Sequence, residues 1–118
     1  MNSDLAKAEA AVCEMTKQGK IIEGIDQYYA DHCVFTEADG SSRANKAAQK
    51  AHLSGFFSSL KSFDGATLHA HSIGDNVGMS EWTFKMTGGD GKAIVWNEVL
   101  VRKWQNGKVV SENYYVQS

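Results

Sequence analysis

The main change of apolar period along this chain falls near Ser62, after which the pattern reads as all-β. Before that point apolar residues recur mainly every three or four residues. Leu5, Ala8, Val12 and Met15 form one stripe, which predicts a first helix from Leu5 to about Lys17, capped by Ser3 or Asp4 and ended at Gly19. Ile22, Ile25 and Tyr29, with Tyr28 beside them, predict a short second helix over Ile21–Tyr29 that closes at Asp31-His32. Asn45 is placed to cap a third helix, Lys46–Leu60, with neighbouring stripes of Ala48, His52, Phe56 and of Leu53, Phe57, Leu60. So broad a face suits a helix lying on a sheet. Between the second and third helices, Cys33–Glu37 reads as a short strand, and Phe35 and Glu37 share a face because strand side chains repeat every two residues. The polar run Ala38–Arg43 reads as a surface loop or flap.

Beyond Ser62 the period is two. Ala66–Ile73 and Val77–Thr87 read as strands joined at Gly74-Asp75-Asn76, with Ser80, Trp82, Phe84 and Met86 on one face of the second. Gly88-Gly89-Asp90-Gly91 leads into two β-branched, aromatic-rich runs within Ala93–Val116, separated by Gln105-Asn106-Gly107, a strong hairpin signal. The first run is apolar on both faces: Trp96, Leu100 and Trp104 on one, Val95, Val99 and Val101 on the other. A half-solvated strand would show a wet face. One face is therefore expected on the core and the other against a partner subunit. Helices followed by a meander predict an α+β fold with three N-terminal helices on one side of an antiparallel sheet.

Length bounds the rest. At 118 residues the chain, 1–118, is expected to be a single domain. A formal net charge of −2 argues against nucleic acid as a partner. No apolar run reaches the roughly 18–20 residues of a membrane span, and no secretory signal is visible at the N-terminus. Cys13 and Cys33 read as buried thiols rather than disulfide partners, which fits a cytoplasmic location.

The candidate chemistry lies among carboxylates set into apolar patterns. Glu37, Glu98 and Glu112 could share a desolvating pocket, which would raise their pKa values toward neutrality. Alternatively, Glu98 and Glu112 pair with Arg102, Lys103 or Lys108 on a wet rim. His52 on the third helix could enter the same pocket as an acid or base, or be a half-buried structural histidine. His32, at a helix end, is expected to interact with the helix dipole. His69 and His71 form an H-x-H pair on one strand face, but with no third ligand in view no metal is expected. No phosphate loop or nucleophile elbow is present, and no cofactor is expected.

Two segments carry a resemblance: Tyr29-Ala30-Asp31-His32-Cys33-Val34-Phe35-Thr36-Glu37, followed by a polar loop and helix, and the closing W-x-N-G-K-V-V-x-E-x-Y-Y. Together with the element order they resemble the NTF2-like superfamily, in its SnoaL-like and ketosteroid-isomerase-like branch. The resemblance implies a cone: a curved sheet over helices, an apolar pocket inside, and a homodimer through the outer sheet face. It places Glu37 where isomerase-like members carry a general base. The isomerase's two oxyanion donors fall near Val12 or Cys13 and near Leu100, which cannot replace them. The pocket implied would be lined by Tyr28, Phe35, Phe56, Leu60, Ser80, Trp82, Phe84, Trp96, Leu100, Tyr114 and Val116.

The hairpin register decides which residues share it. A two-residue Asn106-Gly107 turn sets Glu112 opposite Val101 and Tyr114 opposite Val99. A three-residue loop with Gly107 as a bulge sets Glu112 opposite Leu100, Tyr114 opposite Glu98 and Val116 opposite Trp96. The second gathers the aromatics with both glutamates and is preferred. The expected function is a pocket for a small apolar molecule, with Glu37 as base in an isomerase, hydrolase, dehydratase or cyclase. The alternatives are a non-catalytic ligand-binding protein and a dimeric association module with a vestigial pocket.

Overall fold

The computed structural model describes residues 3–117. Its elements are α1 (Ser3–Lys17), α2 (Ile21–Tyr28), β1 (Tyr29–Thr36), β2 (Ser42–Arg43), α3 (Lys46–Ser59), β3 (Leu60–Gly74), β4 (Val77–Gly88), β5 (Ala93–Gln105) and β6 (Lys108–Val116). The three helices accompany one six-stranded open sheet in the order β2-β1-β6-β5-β4-β3. The α+β class and the helix positions agree with the sequence pattern.

The helix ends have local causes. Gly19 takes φ 77°, and the amides of Gly19 and Lys20 fold back onto the carbonyls of Thr16 and Met15. This closes α1 in the left-handed conformation that glycine tolerates. Asn45 caps α3 by accepting from the Ala48 amide at 2.8 Å. α1 already includes Ser3 and Asp4, so its cap lies outside the described residues.

Three expectations change. First, the sheet is mixed, because β1 pairs with β6 in parallel. A parallel pair needs a crossover rather than a hairpin, and here α3 and the whole β3–β5 meander lie between the two strands. Second, β1 begins at Tyr29, so Asp31 and His32 belong to a strand and His32 meets no helix end. Third, the β5–β6 turn has two residues, Asn106 (φ 53°) and Gly107 (φ 78°), with Gln105 opposite Lys108. Both central residues in the left-handed region make the tight reversal that matches strand twist. A register shift follows at once: Trp104 pairs with Val109 but Lys103 with Ser111. Glu112 therefore faces Arg102, Tyr114 faces Leu100 and Val116 faces Glu98. Neither expected register is correct. The bulge nevertheless restores the preferred parity, so Glu98, Leu100, Glu112 and Tyr114 do share one face.

The core lies between that face and the helices. Trp82, Phe35, Cys33 and Val109 are fully buried, with Leu5, Val12, Ile25, Phe84, Met86, Leu100 and Trp104 nearly so. Trp82 stacks on Phe84 and donates its indole N–H to Ser80 Oγ at 2.8 Å. Cys13 and Cys33 are both buried free thiols.

Candidate active site

Between the sheet and the helices lies a cavity of about 360 Å³. Phe56, Phe57, Leu53 and Phe63 meet Trp96, Phe84 and Met86 at its apolar end. Tyr29, Gln49, Arg102, Glu112 and Tyr114 form its polar floor, and Glu37, Asp39, Ser41 and Arg43 its rim.

The floor is built around a buried ion network. Arg102 Nε donates to Glu112 Oε2 at 2.7 Å, and its Nη1 donates to Glu9 Oε2 at 2.8 Å. Trp104 Nε1 holds the other Glu9 oxygen at 3.0 Å. Glu112 also accepts from the hydroxyls of Tyr29 and Tyr114. Burial, reinforced by the neighbouring carboxylate of Glu112, holds both phenols well above the usual tyrosine pKa, although Arg102 opposes the shift. They therefore stay protonated and donate. Glu9 and Glu112 are each only 2% exposed. A charge so deep is tolerable only when paired and hydrogen-bonded, and each of these is. Glu9 even sets the residue opposite it: a Cβ at Gly78 would overlap Glu9 Oε1. Burial pushes the Cys13 thiol, which donates to Glu9 at 3.4 Å, up to about 11.

The network continues to the rim. Gln49 Nε2 donates to the Tyr114 hydroxyl at 3.1 Å, its carbonyl oxygen accepts from Arg43 Nε, and Arg43 pairs with Glu37. Glu37 is thus an ion-paired carboxylate, its side chain 33% exposed, rather than a desolvated one. Glu98 is different. It projects from β5 into the cavity between Trp96 and Leu100 and, among the described residues, makes no hydrogen bond or ion pair. Burial pushes its pKa from 4.5 up to about 7; the negative charges of Glu112 and Glu37 add to the shift and Arg102 opposes it.

Of the expected site residues, the cavity brings together Glu37, Glu98, Glu112, His52, Phe56, Phe84, Trp96, Leu100 and Tyr114. The other six lie outside its lining. Phe35 is wholly buried and stacks on Tyr29; Trp82 and Ser80 bond each other within the core. Tyr28 meets Trp104 edge-on, Leu60 borders a separate surface hollow, and Val116 is exposed near the end of β6. His69 and His71 do not share a face. A bulge between Leu68 and Ala70 sets His71 in register with Ser80, whereas His69 bonds Thr83 on the outer side, at 2.7 Å.

Sequence reasoning missed Glu9, Gln49 and Arg43. The first two carried a signal: Glu9 falls four residues after Leu5 and three before Val12, and Gln49 four before Leu53, so both sit on apolar stripes. Arg43 carried none.

The SnoaL-like domain family matches residues 10–112. Among solved structures, a candidate SnoaL-like polyketide cyclase from Mesorhizobium loti superposes with a TM-score of 0.85 at 20% identity, covering 98% of this chain and 99% of that one. TerC, co-crystallised with polyporic acid, gives 0.80 at 14% identity, covering 97% and 92%. A protein of ketosteroid-isomerase-like fold from Catenulispora acidiphila, in complex with trimethylamine, gives 0.75 at 7%, covering 91% and 83%. At such identities these likenesses establish the fold alone. No functionally curated protein matches the sequence. With the family matching residues 10–112, nearly the whole chain, this protein belongs to the SnoaL-like domain family and has the NTF2-like fold.

Proposed function

We propose that the protein is an acid–base catalyst acting on a small, largely apolar molecule held in the cavity, with Glu98 as the proton-transferring group. The observation that carries this is an unpartnered carboxyl in a cavity whose other carboxyls are all engaged, pushed up to about 7 by burial. Such a group is close to half ionised at neutral pH, where it can both accept and return a proton. Glu37, where the resemblance puts a base, is engaged by Arg43 and serves at the rim to orient the ligand. Glu112 is enclosed by its donors and acts as scaffold. The isomerase, dehydratase and cyclase alternatives share one step, removal of a proton from carbon, and that step is what Glu98 supplies. Two structures of this fold hold ligands of opposite character, an acid and an amine. The fold therefore leaves the ligand open.

The test is hydrogen–deuterium exchange at carbon, followed by NMR, across a panel of small apolar carbonyl compounds and amines. The wild type is expected to exchange at least one of them, and Glu98→Gln to slow that exchange by about 10²–10⁴. A wild type that exchanges none, or a variant that exchanges as fast, contradicts the proposal.

The outer face of the sheet supports a second reading, a homodimer. Met79 stands opposite Val101 and Val99 opposite Tyr115, on the face turned away from the core, and Met79 and Tyr115 are exposed. A contiguous apolar stripe of this kind is what a self-complementary interface uses.

A further inference from the structure

We propose that the cavity is a binding site for a small apolar ammonium ion, seated with its charge on the Glu98 carboxylate and its carbon skeleton against the paired rings of Phe56 and Trp96. This rests on the reading of Glu98 as the group that faces the ligand, but not on turnover.

Charge is the first argument. Among the described residues, four carboxyl groups line the cavity, Glu37, Asp39, Glu98 and Glu112, against two guanidiniums, Arg43 and Arg102. Arg102 is further shared with Glu9 behind the wall. Fully ionised, the lining carries an excess of two negative charges, which an anionic ligand would increase and a cationic one would relieve.

The hydrogen-bonding inventory gives the second. The Tyr29 and Tyr114 hydroxyls donate to Glu112, the Gln49 amide donates to Tyr114, and both guanidiniums are directed at protein acceptors. Apart from the His52 ring, the lining side chains that could greet a carbonyl or an oxyanion are thus engaged by protein acceptors, while both oxygens of Glu98 stay free to accept. The wall suits a ligand that donates.

Shape gives the third. Trp96 and Glu98 point the same way from β5, being two residues apart on one strand. The Trp96 ring lies 5.2 Å from Phe56 and inclined by 17°, a stacked pair beside the carboxylate. Aromatic faces next to a carboxylate attract organic cations through the ring quadrupole as well as through charge.

A pH dependence follows. Among the described residues, the titratable and charged groups that line the cavity with Glu98 are Tyr29 on β1 and Glu37 just beyond its end, Asp39 and Arg43 from the rim, and His52 from α3. Arg102 on β5 and Glu112 and Tyr114 on β6 complete the set. Burial, with the negative charges of Glu112 and Glu37 adding to it, lets Glu98 hold its proton up to about 7 when the site is empty. A bound cation stabilises the ionised form, so binding releases that proton and strengthens as pH rises.

Benzylammonium, benzyl alcohol and benzoate, alike in size and different in charge, test this by calorimetric titration of the intact chain at pH 6 and pH 8. At pH 8 benzylammonium is expected to bind tightest of the three. Its affinity should rise about tenfold from pH 6 to pH 8, with release of a proton, and Glu98→Gln should remove that rise. Benzyl alcohol binding as tightly at pH 8, benzoate binding tightest, no probe binding, or an equal pH dependence in the variant would each overturn the proposal. If the variant does not fold, the three-probe comparison on the wild type decides alone. Benzylammonium binding without any carbon exchange would sink the catalytic reading and leave this one standing. Exchange without benzylammonium binding would do the reverse.

Discussion

Glu98 and Glu112 differ in what lies within reach of their oxygens. Glu112 has two phenols and a guanidinium; Glu98 has open cavity. Their mutants should therefore diverge. Tyr29→Phe deprives the buried Glu112 carboxylate of a donor, and is expected to cost about 1–3 kcal/mol in denaturant unfolding. A midpoint equal to wild type would show that the hydroxyl is dispensable. Glu98 works the other way. Its ordinary value of 4.5 governs the unfolded chain, whereas the folded value is about 7. Below pH 4.5 both states hold the proton, and Glu98 adds no pH dependence. Between those values the unfolded state ionises more readily, so stability falls as pH rises and levels off above 7. Glu98→Gln should flatten that decline and be no less stable than wild type at pH 8. A steeper decline in the variant would show that Glu98 is stabilised as a carboxylate.

At the scale of elements, the β5–β6 hairpin and the Gly78 contact carry the site. The bulge beyond Asn106-Gly107 puts Arg102 opposite Glu112 and leaves Glu98 on the cavity face. On the facing strand, Gly78 pairs with Arg102 and leaves room for Glu9. Gly78→Ala would drive its methyl into a buried carboxylate that cannot retreat without leaving Arg102 and Trp104. We expect a loss of at least about 3 kcal/mol in chemical denaturation, as when a buried ion pair is broken. An unchanged unfolding curve would mean that α1 can shift away.

These contacts also mark how far the sequence could be read. The element types were legible because period and turn residues are local: Asn45 caps α3 and Gly19 ends α1 where expected. Register was not. A bulge is one residue long and alters no hydrophobic pattern, yet it moved Glu112 from Val101, its partner in a plain two-residue hairpin, to Arg102 and separated His69 from His71. The parallel β1–β6 pairing was hidden for a related reason, since it joins segments with no turn between them. Of the network, Glu98, Glu112 and Tyr114 were visible as polar groups in apolar strands. Gln49 was passed over because a single polar residue on a helix stripe looks like an exposed one.

For the molecule as a whole, the two faces of the sheet differ. Its inner face supplies the cavity floor, and its outer face offers two adjacent cross-strand pairs, Met79 with Val101 and Val99 with Tyr115. If that stripe pairs two chains, Val99→Lys should yield a monomer in sedimentation with an unchanged circular dichroism spectrum, because the position is not core. A wild type that sediments as a monomer at micromolar concentration would remove the dimer. The central claim concerns the other face: a carboxyl kept near neutrality in a cavity whose remaining acids are satisfied. Side-chain carbon NMR of the glutamates across pH 3–10, with Glu98 assigned through Glu98→Gln, measures it directly. The account predicts a midpoint of about 7 for Glu98; a midpoint near the ordinary 4.5 would contradict it.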